Sequence, residues 1–126
     1  TVSFAIISVE NRMYPSKRIK GYSEWMARGS DGKYRIGAVI YDGKNILGAG
    51  VNKPNKTHPK SPTPYSTIHA EFDAILSANR VSQSLRGLSI YVHRVRKDGN
   101  PGLARPCKHC ARMLSWAGIK DVHYSI

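Results

Sequence analysis

The chain has 126 residues, enough for one core and one domain, 1–126, without disulfide staples. Hydrophobic residues make up 40% and charged residues 22%. No apolar run approaches the roughly 20 residues of a membrane helix, so a membrane partner is not expected. Twenty Lys and Arg against eight Asp and Glu give a net charge of +12, which favours polyanionic or phosphorylated partners unless it serves solubility alone.

The stretch Val2 to Val9 is apolar, with no positive region before it and no small-residue cleavage site after it. It reads as a buried segment rather than a signal peptide. Phe4, Ile6, Ile7 and Val9 fit a short helix or a strand, which Pro15 ends. Residues 17–28 are basic, contain Trp25 and Met26, and read as a second short helix; Ser30-Asp31-Gly32 is a turn signal. Arg35 to Tyr41 is strand-like, Asp42-Gly43 is a hairpin turn, and Asn45 to Val51 is the partner strand, its glycines allowing close backbone approach. Residues 53–64 hold four prolines and three lysines and read as an irregular loop.

Ser66 or Thr67 is the expected cap of the next helix, along which Ile68, Phe72, Ile75 and Leu76 form an apolar stripe. Leu88 to Val95 reads as a strand and 97–102 as a loop. Pro106 suits the first position of a further helix and Gly118 the residue past its end, with Ala111, Leu114 and Ala117 as its apolar side. Val122, Tyr124 and Ile126 alternate as a last strand. From residue 35 the order is β-β-α-β-α-β, which argues for an α/β sheet covered by helices.

The two cysteines, Cys107 and Cys110, form a Cys-x-x-Cys. Without a secretion signal, that spacing points to a reducing, cytoplasmic setting and to metal or redox chemistry. Each of two short motifs opens a predicted helix: His69-Ala70-Glu71, and Pro106-Cys107-Lys108-His109-Cys110. Zinc favours sulfur and imidazole nitrogen, and three protein ligands plus water make a catalytic site. Cys107 and Cys110, three apart on a helix, face the same way, and a helix start favours thiolate. His69 supplies the third ligand. Glu71 points away from that ligand direction, yet a carboxylate there can take a proton from water and pass it to a leaving amine. The combination of His-x-Glu with Pro-Cys-x-x-Cys is the zinc deaminase signature. A structural zinc that adds His109, or a redox dithiol, would leave Glu71 without a use.

At these residues the chain resembles the cytidine and deoxycytidylate deaminase superfamily, over roughly Arg35 to Ile126. The likeness is best at Ile68 to Glu71 and from Arg105 to Tyr124. It implies a three-layer α/β/α sandwich around a mixed sheet of four to five strands, a Zn²⁺ cofactor and a homo-oligomer. Gly50-Val51-Asn52 resembles the end of that family's second strand, which implies that Asn52 contacts substrate; a plain turn residue is the alternative. Ala70 and Pro106, beside the motifs, are assigned to substrate contact with it, and Arg105, one of the cations clustered around the second motif, is placed to attract phosphate or to belong to a merely solvated face. By the same likeness His58 lies near the site, to touch base or phosphate or to face solvent. Tyr65 is placed to stack on a base or to pack in the core.

The resulting expectation is hydrolytic deamination of cytosine on a free nucleotide, dCMP to dUMP. A deaminase of cytosine or adenine within single-stranded DNA or RNA is the alternative, on the strength of the charge and the scattered Tyr and Trp. A silent, zinc-stabilised nucleic-acid-binding module is the third.

Overall fold

A computed structural model describes residues 2–3, 15–30, 34–53, 60 and 68–126 of the chain. Its elements are β1 (Val2–Ser3), α1 (Lys17–Arg28), β2 (Arg35–Asp42), β3 (Asn45–Val51), α2 (Ala70–Ala78), β4 (Ser89–Val95), β5 (Pro101–Gly102), α3 (Lys108–Trp116) and β6 (Asp121–Ser125). The two strongest turn signals are used as expected. Gly43 closes the β2–β3 hairpin at φ 59°, and Gly118 follows α3 at φ 86°, both in the left-handed region that favours glycine.

The strands form one mixed sheet in the order β1-β6-β4-β2-β3, with β5 paired to β4 beside that path. β2 runs antiparallel to both β3 and β4, and β4 runs parallel to β6 from Ser89↔Asp121 to Val92↔Tyr124. The backbone of β1 adds an antiparallel edge to β6.

Period-two alternation sends side chains to opposite faces. One face sets Val39, Tyr41 and Tyr91 against Ile19 of α1. The other sets Ala38, Ile40, Ile90 and Val92 against Ala70, Ala74 and Ala78 of α2 and Leu114 of α3. These are the three layers expected, α/β/α. Ile40, Ile90 and Leu114 are almost wholly buried, and each such side chain contributes about 1.5–3 kcal/mol.

Glycine decides how closely the layers approach. Gly48 and Gly50 of β3 lie under α2, and a Cβ on Gly48 would meet the backbone nitrogen of Ala78 at 2.4 Å. On the opposite face, a Cβ on Gly37 would sit 2.4 Å from the Ser23 carbonyl of α1. Ser23 also donates from its hydroxyl to the Gly37 carbonyl at 2.8 Å. Ser16 caps α1, its Oγ accepting from the Ile19 N–H at 3.2 Å.

Several boundaries differ from expectation. α2 starts at Ala70 with His69 as its N-cap, not near Ser66 or Thr67, which lie outside the described residues. α3 starts at Lys108 with Cys107 as N-cap, so Pro106 stands outside the helix and not at its first position. Ala111 is exposed, and the buried side of α3 is carried by Cys110 and Leu114. A short strand, β5, lies within the expected 97–102 loop. On β6 the fully buried residues are Asp121, His123 and Ser125, while Val122 and Tyr124 are partly buried. Of the expected Val2–Val9 segment, only Val2–Ser3 is described.

Candidate active site

α2 and α3 begin close together at one end of the sheet. Residue 69 is held in extended backbone, φ −76° and ψ 152°. Its predecessor Ile68 exchanges two backbone hydrogen bonds with Lys53: Lys53 N–H donates to the Ile68 carbonyl at 2.8 Å, and Ile68 N–H to the Lys53 carbonyl at 3.1 Å. That bridge at the end of β3 fixes where the His69 side chain starts. Cys107 is extended too, φ −67° and ψ 167°, and Cys110 lies one turn inside α3. Neither His69 nor Cys107 spends its side chain on capping its helix.

The three side chains converge. His69 Nδ1 is 3.6 Å from Cys107 Sγ and 3.4 Å from Cys110 Sγ. All three donor atoms lie within 4.8 Å of one another, and both cysteines are free. Zinc bonds of about 2.0–2.1 Å to nitrogen and 2.3 Å to sulfur, at a tetrahedral angle, put those atoms about 3.5 Å apart. The donor set therefore fits zinc in both type and spacing. Burial pushes the His69 imidazole below its ordinary value, with His109 adding to the shift, which favours the neutral form that a metal requires. Burial pushes the Cys110 thiol far up, with Glu71 and Cys107 in the same direction. At Cys110 burial thus outweighs the helix start, and a thiolate there needs a cation beside it. His109 lines a separate groove of about 790 Å³ between α2 and α3, so it is not a fourth donor.

Glu71, two residues past His69, is buried at 5% exposure. Burial raises its carboxyl to about 7, against a hydrogen bond from its own backbone. A carboxyl balanced near neutrality suits proton transfer in both directions.

Glu71, His69 and Cys107 line one cavity of about 410 Å³. Ala70 and Asn52 are also in its wall, and Arg105 stands exposed at its edge. Pro106 is not in that wall; it lines a neighbouring cleft of about 300 Å³ between α3 and β6. His58 and Tyr65 lie outside the described residues.

Asn52 is more than a turn residue. Its Oδ1 accepts from Ser30 Oγ at 2.7 Å and from the Ile36 N–H at 3.0 Å. Its Nδ2 donates to the Tyr34 carbonyl. Asn52 thus ties the end of α1, the start of β2 and the end of β3 together while presenting one edge to the cavity. Sequence reading did not assign Tyr34, Ile36, Lys53, Ile68, Leu103 and Ala104 to the site, and these complete the wall. Lys53 at least adjoins Asn52 in sequence; it pairs with Asp73 of α2 at 3.0 Å. Leu103 and Ala104 follow β5, an element too short to carry a periodic signal.

An α/β/α domain with a His-Cys-Cys donor set and a buried carboxylate beside it has the architecture of a metal-dependent deaminase. Residues 17–126 match the family described as the cytidine and deoxycytidylate deaminase zinc-binding region. The chain belongs to this zinc-binding family. It is 32% identical over 109 residues to the deoxycytidylate deaminases of Homo sapiens and Mus musculus, a match covering 75% of this chain and 54% of theirs. It thus spans about half the length of those relatives. Among solved structures it resembles the dCMP deaminase of cyanophage S-TIM5 in its apo form, with a TM-score of 0.62, 25% identity, and 86% of this chain and 83% of that one covered. The same phage enzyme in complex with dCMP and dUMP shares the fold at a TM-score of 0.62 and 23% identity, over 88% of this chain and 83% of that one. Among the described residues no helix is long and apolar enough to cross a membrane.

Proposed function

We propose that the chain is a zinc-dependent hydrolytic deaminase that converts cytosine to uracil on a free nucleotide, dCMP to dUMP, with release of ammonia. The observation that carries this reading is the cavity that Glu71 lines together with His69 and Cys107, two of the three donors that converge with Cys110. The phage deaminase that shares the fold is described in complex with dCMP and dUMP, and this supports the choice of base and phosphate.

Zinc held by His69, Cys107 and Cys110 supplies a Lewis acid that makes water nucleophilic near neutral pH. The chain's own residues do the rest. Glu71 takes a proton from the attacking water to N3 of the base and then passes the proton of the hydroxyl now on C4 to the departing amino group, so that the C4–N bond breaks and cytosine and water give uracil and ammonia. Ala70, with no bulk beyond its Cβ, leaves room for the base beside Glu71. Ile36, Ile68 and Leu103 give the cavity apolar wall and limit entry of bulk water. Asn52 offers its remaining Nδ2 hydrogen to the sugar or phosphate, and Arg105 at the edge offers charge to the phosphate.

Incubation of the zinc-loaded protein with nucleosides, nucleotides and cytosine-bearing oligonucleotides, with ammonia as readout, tests this. Turnover of dCMP well above that of deoxycytidine and of oligonucleotides is expected. Conversion of cytosine in single-stranded DNA or RNA with no turnover of free nucleotides overturns the substrate. Absence of any deamination by zinc-loaded protein favours a silent module.

A further inference from the structure

The deaminase reading uses one face of the sheet and leaves α1, on the other, unassigned. Ile19, Ser23 and Ala27 turn α1 inward and are fully buried. Lys17, Arg18, Gly21, Tyr22, Trp25 and Arg28 are all exposed on its outer side. Tyr22 and Trp25, one turn apart, stack there with ring centroids 5.8 Å apart and planes 25° from parallel. Trp25 is 67% exposed and Tyr22 37%, so the pair covers no core. Gly21 beside them leaves open space where a side chain would stand. A glycine inside an exposed helix costs about 1 kcal/mol relative to alanine, and here it keeps the approach to the Trp25 ring clear.

The surroundings are cationic. α1 carries Lys17, Arg18, Lys20 and Arg28 against one acid, Glu24. Glu24 is matched to Arg28 at 2.7 Å, which leaves the other three cations unneutralised on the helix. Arg18 reaches across to donate to the Lys44 carbonyl at 2.8 Å, which brings the β2–β3 turn alongside. A platform of two flat rings flanked by cations offers what a nucleobase and its phosphates need: a π face to stack on and charges to track the backbone.

We infer that the outer face of α1, centred on Trp25 and Tyr22, is a binding surface for single-stranded nucleic acid. Other occupants fit less well. A second copy of the chain would bring the same cations to the same face. A membrane would need an apolar stripe, and the aliphatic Ile19 points into the core. The surface lies across the sheet from the deaminase cavity and does not depend on what that cavity turns over.

The test uses the full zinc-loaded chain carrying Trp116→Phe, so that Trp25 is its only tryptophan. A fluorescent dT 12-mer should bind with rising anisotropy and quench Trp25 emission. Binding should weaken with salt on a log–log slope of about −2, as for three phosphates. Tyr22→Ala, and Trp25→Ala read by anisotropy, should each weaken binding about ten-fold, in line with the loss of one stacked base. Both variants should keep the melting temperature and dCMP turnover of the parent, so a failure here is distinct from a failure of the deaminase reading. Oligonucleotide binding that both variants leave unchanged overturns the inference, since charge alone or another surface would then suffice. Equal binding of heparin with no quenching overturns it too. So does Trp25-dependent self-association, or binding to phosphatidylserine vesicles, without affinity for the 12-mer.

Discussion

Gly50 lies directly against the backbone of Ala74: a Cβ on Gly50 would sit 2.4 Å from the Ala74 nitrogen and 2.7 Å from the Ala70 carbonyl. Neither atom can move without moving α2, which carries Glu71 and follows His69. Gly50→Ala should therefore destabilise the fold by about 1–3 kcal/mol, the usual cost of overpacking. It should also reduce zinc retention. Urea denaturation checks the first and elemental analysis of dialysed protein the second. A loss below about 0.5 kcal/mol would show that the β3–α2 contact is looser than described.

Zinc should be present at about one per chain, from three protein ligands. Cys107→Ser with Cys110→Ser should abolish it. Because zinc binds the folded chain, a hundred-fold excess over its dissociation constant adds about 2.7 kcal/mol, or about 10 °C in melting temperature for a domain of this size. Chelation should remove that increment from the parent and leave the double variant unchanged. Calorimetry with and without chelator, beside metal analysis, decides the matter. Full zinc in the double variant would remove the cysteines from the site.

Glu71→Gln should keep the zinc content and the fold while lowering turnover about 10²–10⁴-fold. The amide fills the same buried volume and cannot accept the proton. Steady-state rates on dCMP, taken with metal analysis, separate the outcomes. Loss of zinc with the rate would make Glu71 a ligand or a structural residue instead.

His93 couples stability to pH. It is buried at 4% exposure, and its Nδ1 lies 2.9 Å from the Tyr91 hydroxyl. Burial lowers it below the ordinary imidazole value of 6.5; Glu24 of α1 opposes that shift and Arg28 adds to it. The unfolded chain therefore takes up the proton first as pH falls. The stability this residue contributes is complete above about 6.5 and is lost on acidification below it, at no more than about 1.4 kcal/mol per pH unit. His93→Gln, which cannot titrate there, should show a shallower fall in stability from pH 7 to pH 5 than the parent. Parallel slopes would mean that His93 is not among the groups that titrate on unfolding.

Much of this arrangement was legible from local chemistry. Asp42-Gly43 and Gly118 announced turns because only particular backbone conformations suit them. Cys107, Cys110 and His69 announced a metal site because few other chemistries use that set. The first turn of each site helix was misplaced for one shared reason. His69 and Cys107 are extended N-caps, so these two residues stand at the helix mouth rather than inside it. A proline or a serine signals that a helix is near but not how the preceding residue is paired, and for Ile68 the partner is the distant Lys53. The sheet-facing side of α2 was missed because Ala70, Ala74 and Ala78 are small. Of the expected stripe, Ile75 shares that core and Phe72 is buried as well, while Leu76 is only partly buried. On β6, alternation was read correctly but burial was not, since Asp121, His123 and Ser125 give no hydrophobic signal.

The bridge between Lys53 and Ile68 has a consequence for how such a domain can diversify. Its two hydrogen bonds, 2.8 and 3.1 Å, close the segment 54–67 at its root and set the start of α2 independently of what lies between. Loop-closure entropy grows slowly, and doubling a loop's length costs only about 0.6 kcal/mol. Residues can therefore be inserted, deleted or exchanged in 54–67 while His69 and Glu71 keep their places. Variation in that segment, by evolution or by design, is thus separable from the placement of His69 and Glu71.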